Sequence, residues 1–226
     1  RDAGGGRDQT IVQVNHPVTS ILGYFAQFHL DPETGDTYVP QGLSAAFAPF
    51  RDEFDAGNFS LDVDAIEIVN AKTLVDVHNF RAPDPLPAGP FPDPQPVAGE
   101  LVRDAQGHIE YPGTVDTWFT LLDRDLRPTA VGTSDSHGTL LDGEPGFART
   151  MLWLGTDHDV PGTFTSRDVV AAIKGHHAIA TNAPLVQLTT LAGGGGMVGD
   201  EVASGATLVD VRVQIQAPAW APVDRV

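Results

Sequence analysis

Asp135-Ser136-His137 is the segment of this sequence best suited to chemistry. An Asp and a His two residues apart in an extended chain face the same side. A carboxylate oxygen and an imidazole nitrogen on one side are suitable ligands for zinc, manganese or iron. The plainer alternative is a polar turn in which Asp135 caps backbone amides. His16 is the second candidate. It follows the short apolar run Ile11-Val12-Gln13-Val14 and precedes Pro17, which disfavours the helical region for His16 and holds it in an extended or turn conformation. The alternative there is a rim histidine bonded to backbone.

Two further charges stand inside predicted strands. Glu67 lies within Asp64–Asn70 (D-A-I-E-I-V-N), where an isolated acid is costly unless paired. It is read as a ligand, as an acceptor orienting a ligating histidine, or as the partner of Arg149, with a structural or orienting role favoured. Asn70 closes the same strand and is placed at the cleft. Arg149, in the strand Ala148–Leu154, is either an oxyanion contact or half of an ordinary ion pair. His29, His78, His108, His158, His176 and His177 are assigned surface or helix-end roles. The acids from Asp31 to Asp36 lack EF-hand spacing and are read as a turn.

The elements that must carry these residues follow from the hydrophobic pattern. Strands are expected at 11–14, 64–70, 129–132, 148–154 and 178–181, and an alternating strand at 207–216. Helices are expected from Ser44 (with Phe47, Phe50 and Phe54 on one face and a stop at Gly57), from Thr114 (Val115, Trp118, Leu122 and Leu126) and from Ser166. Seven prolines between Pro83 and Pro96 exclude a packed helix or central strand. That stretch is expected to border or cover the cleft. The strand–helix alternation suggests parallel βαβ units. The grammar changes near Pro184, so residues 1–183 are read as one domain and 184–226 as the beginning of a second, strand-only one.

Composition narrows the function. Hydrophobic residues make up 41% of the 226, enough for a buried core. Thirteen Lys and Arg against 30 Asp and Glu give a net charge of −17, which opposes nucleic-acid binding. No Cys is present, which excludes disulfides, zinc–thiolate sites and thiol nucleophiles and leaves the compartment open. No apolar run approaches the roughly 18 residues of a spanning helix. There is no G-x-S-x-G elbow, P-loop or dinucleotide fingerprint.

V-N-H-P at 14–17, D-A-I-E-I-V-N at 64–70 and G-T-S-D-S-H-G at 132–138, in that order, resemble the later motifs of the PHP (polymerase and histidinol phosphatase) superfamily. A-I-A-T-N-A-P at 178–184 and A-P-A-W-A-P-V-D-R-V at 217–226 resemble its CehA/McbA-like metallohydrolase branch. The resemblance implies a distorted seven-stranded (β/α) barrel, present here in its C-terminal part and followed by the start of a β-sandwich. It implies two or three divalent metal ions (zinc, with manganese or iron as alternatives) and a metal-activated water. That water would hydrolyse a phosphoester, carboxyl ester, amide or carbamate of a small-molecule substrate. By the same resemblance His16, Asp135 and His137 match metal-ligand positions, and Glu67 matches a signature position. The sequence departs from the pattern in two places. The family's H-x-H pair, bridging Glu and further His are absent from Arg1–Val14, and Ala183 stands where the branch has Gly. The expectation is therefore a metal-dependent hydrolase that is inactive or incomplete as this chain alone and needs an upstream fragment of the same protein. The competing reading is a non-catalytic carbohydrate- or protein-binding module on a decayed barrel of this kind. An H-x-H pair upstream of Arg1 would favour the enzyme.

Overall fold

Short apolar runs ending in turns make strands here, and three of them meet in parallel. The computed structural model describes residues 6, 8–18, 23–37, 58–71, 77–81, 95–97, 99–110, 112–137, 145–155, 158, 160–191, 195–203, 205 and 208–223. In chain order these form β1 (Gln13–Val14), α1 (Tyr24–Gln27), β2 (Ala65–Asn70), β3 (Phe80–Arg81), β4 (Gln95–Pro96), β5 (Val102–Arg103) and β6 (Ile109–Glu110). There follow α2 (Thr114–Asp123), β7 (Thr129–Thr133), β8 (Arg149–Leu152), α3 (Ser166–Lys174), β9 (Ala178–Thr181), β10 (Leu185–Thr190) and β11 (Val211–Gln216). The helix expected from Ser44 to Gly57 and nearly all of the Pro83–Pro96 stretch lie outside the described residues.

The central sheet has the order β1-β2-β7, all parallel, with Val14 opposite Ile66 and Ala65 opposite Thr129. A register shift falls between Glu67 and Val69 of β2. Apolar side chains fill both faces of the sheet. Val14, Ile66, Leu121, Phe25 and Leu30 pack on one side, and Ala65, Val131 and Ile173 on the other. At the amino end of β2, Asp64 accepts a hydrogen bond from the Val12 N–H at 2.7 Å and pairs with Lys174 Nζ at 2.7 Å, tying α3 to the sheet.

A partial (β/α) barrel is not what forms. Among the described residues there are three helices, one three-stranded sheet and four two-stranded sheets, a more β-rich arrangement than a barrel allows. A parallel barrel needs every strand followed by a covering helix. Among the described residues β2–α2–β7 has that form, and β1–α1–β2 approaches it with a helix of four residues. The connection between β2 and α2 makes the small antiparallel ribbons β3–β4 and β5–β6 instead. Although α3 separates β8 from β9, these two pair antiparallel, Arg149 opposite Thr181. Thr150 Oγ1 donates to the Gly132 carbonyl at 2.9 Å and accepts from the Gly132 N–H at 3.0 Å, so a hydroxyl joins β8 to β7 where a ladder would have done so. The expected β-sandwich is likewise a two-stranded antiparallel ribbon among the described residues, β10 with β11, most of its side chains exposed. No helix of the described residues is long and apolar enough to cross a membrane.

Two helix starts differ by one residue from expectation. The cap of α2 is Gly113, and Thr114 instead donates its hydroxyl to the Ile68 carbonyl at 2.7 Å. The cap of α3 is Thr165, whose N–H is accepted by Asp168 at 2.6 Å in a capping box.

Candidate functional site at the carboxyl end of the sheet

The three parallel strands deliver polar residues to one end. β1 runs out into His16, β2 closes on Asn70, and β7 closes on Thr133 two residues before Asp135. His16 and Asp135 both adopt left-handed backbone, φ 49° and 48°. Such conformations cost a non-glycine residue of order 1–3 kcal/mol and concentrate at functional sites. They also turn the chain sharply at the strand end. Asp135 and His137 meet across this turn rather than along an extended strand.

Glu67 is the anchor. Its side chain is 2% exposed. It accepts the His16 backbone N–H at 2.6 Å, the Asn70 amide at 3.1 Å and the Thr133 hydroxyl. One carboxylate thus gathers donors from all three strands or their ends, which explains how an acid is tolerated inside β2. His16 Nδ1 lies 3.4 Å from Glu67 Oε2 and 3.3 Å from the Asn70 amide. The Asn70 N–H donates towards Nδ1, and the Nε2 side of the ring faces Asp135.

Asp135 stands between two imidazoles. Its Oδ2 is 3.8 Å from His16 Nε2 and its Oδ1 is 3.1 Å from His137 Nε2, while the His137 side chain is 64% exposed. Two ligands of one tetrahedral zinc, each at about 2.0–2.2 Å, stand roughly 3.3–3.6 Å apart. The two separations bracket that value, so the donors suit a divalent ion in type and spacing. Each imidazole faces a different carboxylate oxygen, however, and among the described residues no three His, Cys, Asp or Glu side chains form a group that could hold a metal ion.

Arg149 opens β8 beside this end of β7. A Cβ on Gly132 would stand 2.9 Å from the Arg149 carbonyl, so glycine permits the close approach of the two strands. Arg149 Nε is buried with no hydrogen-bond partner among the described residues. Among the described residues the donors gathered on Glu67 come from His16, Asn70 and Thr133 rather than from Arg149.

The other histidines are more engaged than their sequence context suggests. His78 Nδ1 is 3.3 Å from Asp116 Oδ1, and His108 Nδ1 is 3.2 Å from Asp104 Oδ2. His177 Nε2 is 3.2 Å from Asp200 Oδ1. His176 Nδ1 is 2.8 Å from Thr129 Oγ1 at the opposite, amino end of β7. Burial, and after it the Arg127 guanidinium, holds the His176 pKa below its ordinary value. Burial, then His108, does the same for His29. Thr133 was reachable from sequence only through its place two residues before Asp135. The pairing of His78 with Asp116 had no sequence signal.

Compared with protein-family models, curated proteins and solved structures, the chain matches none.

Proposed function

We propose that the cluster at the carboxyl end of the central sheet is the metal site of a metal-dependent hydrolase, akin in motif order to the PHP superfamily. The observation that carries this reading is the chain of contacts Glu67–His16–Asp135–His137, anchored on a buried carboxylate and open to solvent at His137. His16, Asp135 and His137 would contribute ligands to a divalent ion (zinc, manganese or iron) but do not as placed complete a set of three. A bound ion supplies a water acidic enough to attack near neutral pH and a Lewis acid for the substrate oxygen. The protein's own part is positioning. Glu67 holds the His16 backbone and faces its ring, and Asn70 and Thr133 hold Glu67 in turn. Arg149 offers N–H donors to an oxyanion on a small phosphoester, carboxyl ester, amide or carbamate. The three side chains give an ion few ligands, so binding by them alone is weak, and efficient turnover needs ligands beyond these three.

The test is turnover of p-nitrophenyl phosphate, p-nitrophenyl acetate and an aryl carbamate by the protein, with and without chelator. Slow, chelator-sensitive turnover is expected. Failure on all three substrates with metal supplied would favour a binding module instead.

A further inference from the structure

The β10–β11 ribbon has little to support it. Its residues pair from Leu185 opposite Gln216 to Thr190 opposite Val211, and no third strand joins it among the described residues. Val186, Leu188, Val211, Val213 and Ile215 share one face with Thr190. Leu188 is 38%, Val213 41% and Val211 53% exposed. A two-stranded ribbon alone is marginal in water, and independent stability takes three or more strands with an apolar face.

The two edges of the ribbon differ. The Thr190 N–H donates to the Gly196 carbonyl at 2.8 Å, away from β11, whereas the Leu191 N–H donates across the ribbon to the Asp210 carbonyl at 3.0 Å. The Gly196 N–H returns to Thr190 Oγ1 at 2.9 Å, and Thr189 forms an antiparallel bridge with Met197. Residues 196–197 therefore lie along the outer edge of β10. Alternation in the antiparallel ladder turns the N–H and C=O groups of Val211, Val213 and Ile215 to the outer edge of β11. No strand pairs with that edge among the described residues. Proline, lysine and bulges blunt exposed edges elsewhere, and β11 (V-R-V-Q-I-Q) has none of them. It also carries Arg212 and no acid, in a chain of net charge −17. Two acidic molecules repel each other least at such a strand.

We infer that β11 pairs antiparallel with β11 of a second copy of this chain, about a two-fold axis through Val213. This sets Val213 opposite the partner's Val213 and Val211 opposite the partner's Ile215, and each such pair exchanges two backbone hydrogen bonds. Arg212 falls opposite the partner's Gln214, and Asp210 opposite the partner's Gln216, so no like charges stand directly across the seam. The strand is its own complement in length, register and charge, which favours a second copy over a foreign peptide. The product is one four-stranded sheet with a continuous apolar face. Because residues 196–197 occupy the outer edge of β10, pairing stops at two copies instead of running on into a fibre. One pair of short strands is a smaller interface than the roughly 1,200 Å² of stable complexes, so the dimer is weak and forms with rising concentration.

Analytical ultracentrifugation of the 226-residue protein between about 10 and 500 μM reads the association. Expected is a monomer–dimer equilibrium that shifts towards dimer as salt screens the acidic surface. Val213→Pro removes an N–H that makes no bond within the ribbon, a position where an edge strand tolerates proline. It should remain monomeric with wild-type circular dichroism. Val213→Cys puts two Cα atoms about 5.5 Å apart across the axis, within reach of a disulfide, in a chain with no other Cys. Oxidised glutathione should convert it to a covalent dimer. Val211→Cys, roughly 13 Å from its own copy in this register, should stay uncrosslinked under the same treatment. If Val213→Pro fails to fold, the two cysteine variants decide. A wild type that is monomeric throughout the concentration range overturns the inference, and the edge then belongs to another partner. Assemblies that grow beyond a dimer, association that survives in folded Val213→Pro, or equal cross-linking at positions 211 and 213 would overturn it as well.

Discussion

Glu67→Gln is the most informative single change to the frame of the site. Three donors converge on the Glu67 carboxylate: the His16 N–H at 2.6 Å, the Asn70 amide at 3.1 Å and the Thr133 hydroxyl. Glutamine has one acceptor oxygen. If that oxygen keeps Asn70 and Thr133, its NH₂ meets the His16 N–H, donor against donor. The reverse orientation loses two bonds. The better case still forfeits one hydrogen bond to a charged group, about 1.5–3 kcal/mol, and leaves a part-buried N–H unmet, about 1 kcal/mol. Relief of the carboxylate's desolvation offsets part of this, so the net loss is about 2–3 kcal/mol. At roughly 2–4 °C per kcal/mol for a chain of this size, the melting temperature falls by about 4–12 °C. Urea unfolding and calorimetry measure it directly. Thr133→Val removes one donor while the carboxylate keeps the others, and should cost about 1 kcal/mol. A Glu67→Gln protein within about 0.5 kcal/mol of wild type, the usual range of a neutral surface change, would refute Glu67 as the anchor of the three strand ends.

Gly113→Ala should destabilise by about 2–3 kcal/mol or more, because the new Cβ meets backbone of His78 and Asn79 that cannot swing away, and a urea midpoint checks it. Thr165→Ala removes the α3 cap and should cost about 1 kcal/mol by the same measurement. His29 and His176 have pKa values lowered in the fold, so the unfolded chain takes up their protons first as pH falls. Their contribution to stability is therefore present above the ordinary value of 6.5 and lost as pH drops below it through the folded values. The double variant His29→Asn/His176→Asn should flatten the fall in urea midpoint as pH drops below 6.5, and a wild-type midpoint that rises as pH drops would contradict the assignment.

The strands of the site were legible because apolar, β-branched runs end abruptly at polar turns: β2, β7 and β9 lie at or within a residue of their expected bounds. His16 and Asp135 could be placed at strand ends for the same reason. Their left-handed backbone could not, because nothing in Asn15-His16-Pro17 or Ser134-Asp135-Ser136 demands it. Strand direction was also hidden. The order β8–α3–β9 reads like a parallel unit, yet a helical connection does not dictate direction when only one neighbouring strand pairs. On α2, the expected apolar face of Val115, Trp118, Leu122 and Leu126 is only half-buried, while Asp116, Thr117 and Leu121 are buried. Asp116 is drawn inward by His78 and Asn79, contacts made 37 and 38 residues away in sequence. Periodicity does not encode partners at that range.

Titration of zinc or manganese into the 226-residue chain, wild type against Asp135→Asn, tests the central claim most directly. Among the described residues Asp135 faces both His16 and His137. The account predicts weak but saturable binding of one ion to the wild type, abolished in Asp135→Asn with the fold intact by circular dichroism. Binding that is absent from the wild type, or unchanged in Asp135→Asn, would contradict it.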